Sequence, residues 1–394
     1  MAGRSAQNWP VSSGITADPL RTNRADGIDV LRALLALWVV LTHLVSWCVA
    51  VQGPAAVPRW LAATMSFSGN LFQPVGELHP GVLAFIVLSG YCIHRAGLRG
   101  PGAGAMTGYA FRRFFRIMPV YYLATVAGVI GFVVASRQSP SLAAMLSGTH
   151  DINPSCVAAK ALFLPALYPG VYECSFLGNA PLATVLVEVV LYVIYAAAFA
   201  GLAWPRREAA IWVAVGFLFA ASVAILAWGV SPGIYGWWQN GSLIGFVPYW
   251  WLGVAFVNPA FAAMCRRRLW LLAVAWAALT ALLMWGHPPG GIAIAELRKL
   301  VFAIGIGVLI RALDQDELKG WGAVALIGRA GYGLYALHAP LTYTLVIYGA
   351  PWWGILVANL LMCLAIHRTI ERPMIRCGRF LRERLVARPL AAGA

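Results

Sequence analysis

The chain has 394 residues, 61% of them hydrophobic and 11% charged, with a net charge of +15 at pH 7. This balance excludes an ordinary soluble domain and a disordered chain and points to a bilayer as solvent. The basic excess does not indicate a nucleic-acid surface, because the Lys and Arg residues flank apolar runs instead of gathering on one face.

Residues 1–27 are polar, carry Pro10, Gly14 and Pro19, and are expected to form a disordered cytoplasmic tail. The first apolar run is longer than a signal-peptide core and has no small-residue cleavage pattern after it, so it is expected to stay as a span. Crossing about 30 Å of hydrocarbon takes about 20 apolar residues. Runs that meet or approach this length lie at Val30–Val51, Gly81–Ile93, Met118–Ala135, Pro181–Trp204, Ala209–Val230, Leu243–Val257, Leu269–Gly286, Leu297–Leu313, Trp321–Ile347 and Trp352–Ile370. The expected fold class is therefore all-α, a polytopic membrane bundle of about ten transmembrane helices over residues 28–380, followed by a cytoplasmic tail over 381–394. Most basic residues fall on one side, leaving Arg59, Arg137, Lys160, Arg298 and Lys299 on the other, with Arg329 inside a span. The positive-inside rule then puts both termini in the cytoplasm.

Between the second and third runs, Gly100-Pro101-Gly102-Ala103-Gly104 lacks the Lys-Ser/Thr ending of a phosphate loop and reads as a flexible connection. The seven cysteines form no CxxC pair, which argues against a zinc or dithiol centre; Cys48, Cys92, Cys265, Cys363 and Cys377 are expected to be inert. Cys156 and Cys174 both fall in the long external segment Ser136–Ala180, where the compartment permits a disulfide. That segment also holds Asp151, Lys160 and Glu173; it shapes an acceptor site or simply caps the bundle. The aromatic group Tyr235, Trp237, Trp238, Tyr249, Trp250 and Trp251 either stacks on sugar faces or forms an interfacial belt.

Ionisable groups inside the runs are few, and such groups mark sites. Arg32, His43, Glu188, Arg329 and His338 head the list. Arg32 and His43 are eleven residues apart, within about 20° of whole helical turns, so they share a face about 16 Å apart along the axis. His43 suits a general base, the alternative being an interhelical hydrogen bond. Arg113 and Arg116 share a helix face and present two guanidinium forks suited to phosphate, unless they only anchor the helix end at the headgroups.

These blocks together resemble the acyltransferase-3 family of bacterial membrane proteins. The resemblance rests on Arg32 to His43, on Gly81-Val82 through Ser89-Gly90-Tyr91, on Arg113 and Arg116 with Pro119 and Tyr121-Tyr122, on Glu188 to Tyr192, on Gly333-Leu334-Tyr335 to His338-Ala339-Pro340, and on Glu371-Arg372-Pro373. Leu83, Ala84, Ala183 and Val189 depart from residues common in the family, and the last two alter the surroundings of Glu188. The resemblance implies an enzyme of the bacterial inner membrane that moves an acyl group, usually acetyl, from cytoplasmic acetyl-CoA to a hydroxyl of a cell-surface carbohydrate or glycolipid. It needs no metal. Arg113, Arg116 and Arg32 would hold the donor's phosphates at the cytoplasmic mouth of a cavity shared with His43, and Glu188 would be a secondary catalytic residue. The expected partners are the acyl-CoA donor, the carbohydrate or glycolipid acceptor and membrane lipid, with no nucleic acid. The competing reading is a multi-pass transporter of a lipid-linked sugar or small solute, which fits the span count but finds no visible inverted repeat in the sequence.

Overall fold

The computed structural model describes residues 24–72, 78–96, 103–139, 154–169, 179–201, 208–229, 231–258, 268, 271, 274–279, 291–314 and 317–387. Helices dominate them. The exception is a two-stranded antiparallel ribbon, β1 (Arg24–Asp26) against β2 (Glu317–Lys319), with Ala25 opposite Leu318. The end of the stretch expected to be a disordered tail is therefore paired to a segment far along the chain.

Helix α1 (Gly27–Gln52) starts at Asp26, whose carboxylate accepts from the Ile28 amide at 2.9 Å and so satisfies one of the unpaired donors of the first turn. It is followed by α2 (Arg59–Gly69), α3 (Pro80–Ala96) and the long α4 (Ala103–Gln138). Then come α5 (Pro154–Ala161), α6 (Leu182–Gly201), α7 (Glu208–Ala227), α8 (Pro232–Asn240) and α9 (Leu243–Ala255). The C-terminal third holds α10 (Gly291–Leu313), α11 (Gly322–Arg329), α12 (Gly331–Ile347), α13 (Trp352–Ile366), a π-helical turn at His367–Glu371, and α14 (Arg372–Ala387).

Among the described residues, three helices are long and apolar enough to cross a membrane: Gly27–Gln52, Gly108–Gln138 and Trp352–Arg384. Pro80–Ala96, Leu182–Ala197 and Trp212–Ala227 are apolar but shorter. The ten-span reading is thus met in part. Its seventh run lies largely outside the described residues, and its ninth is two helices, because the chain bends at Ala330 between α11 and α12. The tenth continues through the π-turn into α14, which takes up the first half of the tail expected after residue 380. Apolar side chains also face outward, among them Val213, Phe217, Leu218 and Ile225 on α7, as a lipid-facing surface requires.

Glycine sets the closest helix crossings. A Cβ on Gly90 would sit 1.9 Å from the Trp250 carbonyl oxygen, and one on Gly253 would sit 2.0 Å from that of Val87, so α3 and α9 meet backbone to backbone. Gly328 meets α1 in the same way, at 1.7 Å from the Asp29 carbonyl oxygen. Polar groups fix the rest of the packing. Pro340 has no amide hydrogen, which frees the Ala336 carbonyl one turn earlier. Asn179 supplies the missing donor at 3.0 Å and bonds the Ala124 carbonyl of α4 at the same distance. Glu371 accepts from the Gly333 amide at 2.9 Å, placing a carboxylate at the N-terminal end of α12 where backbone donors are unpaired.

The aromatic group near residues 235–251 is neither belt nor sugar platform. Tyr235, Trp237, Trp238, Tyr249, Trp250 and Trp251 are all buried in the protein interior. Arg298, Lys299 and Lys160, expected as external charges, are buried too. Helix α10 begins six residues before the run expected at Leu297, so Arg298 and Lys299 stand inside it. Lys299 pairs with Glu296 at 2.7 Å, and that carboxylate also accepts from the Tyr235 hydroxyl at 3.1 Å and the Tyr249 hydroxyl at 2.8 Å.

Candidate active site

A cavity of about 310 Å³ opens between α1, α3, α4, α6 and the α11–α12 bend. Its charged lining is Arg32 from α1, Arg113 and Arg116 from α4, and Glu188 from α6. The three-residue spacing on α4 delivers both arginines to one space, as an i, i+3 pair should. Arg32 is held by Asp29 at 2.6 Å and donates to the Cys92 sulfur at 3.0 Å. Asp29 also reaches Arg329 at 3.7 Å from the end of α11.

Arg113 and Arg116 have no carboxylate at ion-pair distance among the described residues. Arg113 instead lies over the Tyr109 and Tyr192 rings, 5.7 and 5.3 Å from their centroids, a cation–π arrangement that aligns it without neutralising it. Arg116 is near enough to Arg32 and Arg113 for the like charges to repel. Clustered guanidinium groups facing an open space are chemically suited to an anion, which would remove that repulsion and accept several charge-assisted hydrogen bonds.

Glu188 sits across from them as an acceptor hub. Ser89 Oγ donates to Glu188 Oε1 at 2.6 Å, the Tyr192 hydroxyl donates to the same oxygen, and Trp250 Nε1 donates to Ser89 Oγ at 3.3 Å. Both hydroxyls converge on one Glu188 oxygen, which orients Ser89 and Tyr192 beside Arg113. The sequence places Ser89 in the second-span block of the resemblance but gives it no role; a lone hydroxyl in an apolar run carries little signal until its partner is seen.

His43 is outside this cavity's lining, contrary to the expectation that it shares one space with Arg32. It packs against the region behind it. Tyr335, at the cavity wall and hydrogen-bonded to Thr184 at 2.6 Å, touches the His338 ring with centroids 6.1 Å apart. His338 Nε2 is 2.8 Å from His43 Nδ1, and the two rings are nearly parallel with centroids 5.2 Å apart. The Trp47 indole stacks on His43 at 5.3 Å. His79, from the turn before α3, completes a three-histidine cluster at 6.5 Å from His43. His338 is fully buried, whereas His43 and His79 are only partly so.

Each carbonyl or amide partner fixes one tautomer. The Gly81 amide donates to His79 Nδ1 at 3.0 Å, so the His79 proton is on Nε2 and goes to Thr42 Oγ1 at 3.1 Å. His338 Nδ1 is 2.8 Å from the Tyr335 carbonyl oxygen, which only accepts, so His338 carries its proton there. Both nitrogens of His79 and of His338 are thus engaged. Among the described residues, the Nε2 of His43 alone in this cluster has no hydrogen-bond partner.

The acyltransferase-3 family model, an acyltransferase domain, matches residues 25–367. The chain belongs to this family. No curated protein and no solved structure matches it. Membership makes the protein a membrane acyltransferase, which requires an acyl donor and an acceptor. Among the described residues no group of three or more His, Cys, Asp or Glu side chains, the three histidines included, is arranged to hold a metal ion. Cys156 and Cys174 fall where side chains are not described, as does most of the external segment expected to shape an acceptor site.

Proposed function

We propose that this protein is an O-acyltransferase of the bacterial inner membrane, with both termini cytoplasmic, moving acetyl from cytoplasmic acetyl-CoA to a hydroxyl of a cell-surface polysaccharide, glycolipid or lipo-oligosaccharide. The observation that carries the reading is the cavity lined by Arg32, Arg113 and Arg116, two of them without a carboxylate partner among the described residues. CoA is a polyanion on a long flexible arm, and its phosphates suit three guanidinium groups far better than a neutral lipid or sugar does. Arg113 and Arg116 take the phosphates, Arg32 stays aligned by Asp29, and Glu188 holds the wall opposite.

The thioester then travels past Tyr335 toward His43. The acceptor hydroxyl gives its proton to His43 Nε2 as its oxygen attacks the thioester carbonyl. The C–S bond breaks, the thiolate takes the proton back from the imidazolium, and the products are an O-acyl ester and free CoA thiol. Direct transfer is favoured over an acyl-imidazole because the half-buried nitrogen is the only base the cluster offers, and one proton in and out closes the cycle.

The test is release of CoA thiol from acetyl-CoA by protein in lipid nanodiscs supplied with glycolipid extract, combined with mass spectrometry of surface glycans from cells with and without the protein. Thiol release together with glycans heavier by one acetyl is expected. Movement of glycolipid with no thiol release would leave transport as the activity.

A further inference from the structure

We infer that His338 is a positioning residue that fixes the tautomer of His43. The inference rests on the reading of His43 as the base that activates the acceptor hydroxyl. Its premises are geometric. The Tyr335 carbonyl 2.8 Å from His338 Nδ1 can only accept, so that nitrogen carries the proton and Nε2 of the neutral ring presents a lone pair. This lone pair is 2.8 Å from His43 Nδ1. His43 therefore donates from Nδ1 and keeps Nε2 bare, the state a general base needs.

Without that acceptor, nothing in the cluster dictates the choice. Trp47 stacks on the face of the His43 ring and holds its plane but not its proton. His79 has both nitrogens engaged by Gly81 and Thr42, so it is unable to substitute. Among the described residues no carboxylate hydrogen-bonds any of the three rings. The third member of this arrangement is thus neutral, unlike the carboxylate that orients the histidine of a serine hydrolase. A neutral partner selects the tautomer while giving less stabilisation to the imidazolium. That suits a base that returns its proton within the same turnover to the departing thiolate.

The helix around His338 is built to hold it. Tyr335 is pinned through its hydroxyl to Thr184, and Asn179 bonds the Ala336 carbonyl that Pro340 leaves open. The carbonyl that sets the His338 tautomer is therefore flanked by two tertiary anchors.

The experiment is nitrogen-15 NMR of histidine-labelled protein in lipid nanodiscs, with His43 assigned from a His43→Gln sample. The native protein should show His43 protonated at Nδ1 and bare at Nε2. His338→Ala should give a mixture of tautomers, and His338→Gln should restore the native pattern, because its amide oxygen accepts where Nε2 did. Turnover of acetyl-CoA with glycolipid extract should follow: kcat falls at least about 10-fold in His338→Ala, part of the about 10²- to 10⁴-fold that general-base catalysis contributes. The KM for acetyl-CoA should stay unchanged, His338→Gln should recover most of the rate, and His338→Ala should cost nothing further in a His43→Ala background. An unchanged His43 tautomer in His338→Ala overturns the inference, as does an additive loss in the double variant. Because the spectrum is read without turnover, a His43→Ala protein that still works would sink the base assignment while the tautomer result stood.

Discussion

Replacing Arg116 with Ala tests whether the cavity is an anion site. Arg116 lines the cavity, is exposed to it, and has no carboxylate at ion-pair distance among the described residues. A hydrogen bond between charged groups contributes about 1.5–3 kcal/mol. Losing one phosphate contact of that size weakens CoA binding about 10- to 150-fold. The lower end should apply at physiological salt, where the Debye length is about 8 Å and the open side of the cavity is screened. Isothermal titration of CoA into nanodisc-held protein at two salt concentrations measures it. Arg112→Ala, an exposed neighbour outside the cavity lining, serves as the control. Arg116→Lys should fall between, since it keeps the charge and loses the fork. The two readings of Arg116 also differ in sign for stability. If no anion binds, removing one of three mutually repelling cations raises the melting temperature and leaves CoA affinity alone, and that result would refute the donor-site reasoning.

His43→Ala should lower turnover by about 10²- to 10⁴-fold with CoA affinity unchanged, read by thiol release and titration on the same preparation. Lys299→Met should destabilise the protein by about 3–5 kcal/mol because it strands the buried Glu296 carboxylate, and adding Glu296→Gln should recover most of that loss in a thermal unfolding assay. Lys160, in the short helix α5 outside the expected spans, has its ammonium pushed by burial down to about 7 from the 10.5 of an exposed lysine. Between those values the unfolded chain binds more protons than the folded one, so stability should rise with pH through that window by up to about 1.4 kcal/mol per pH unit, and Lys160→Met should flatten the rise.

What the sequence discloses about the site follows the range of the interaction. Arg113 and Arg116 reach one cavity because an i, i+3 relation is decided within a single turn of helix. The Arg32–His43 spacing likewise fixes a common face of α1, but not what that face meets. Arg32 turns toward Cys92 and the cavity, while His43, three turns on, meets His338 across 295 positions of sequence. No local pattern encodes that distance. The same limit explains Ser89, whose role depends on Glu188 nearly a hundred residues later.

A bilayer removes the usual distinction between inside and outside. In water an apolar residue is informative because exposure costs free energy; in lipid, Trp250 in the core and Phe217 on the surface satisfy the same rule. The aromatic group at 235–251 consequently reads as a belt and turns out to be interior. Polar residues are then the ones whose burial carries information, since each must find a partner wherever it lies. Lys299 finds Glu296, Asn179 finds the carbonyl that Pro340 exposes, and His338 finds His43. Arg113 breaks this pattern: its Nε is buried without a hydrogen-bond partner, and it has no carboxylate at ion-pair distance among the described residues. In a membrane protein that departure is costly unless a charged partner arrives from outside the chain, and it therefore weighs more heavily for an anionic donor than any apolar feature of the sequence.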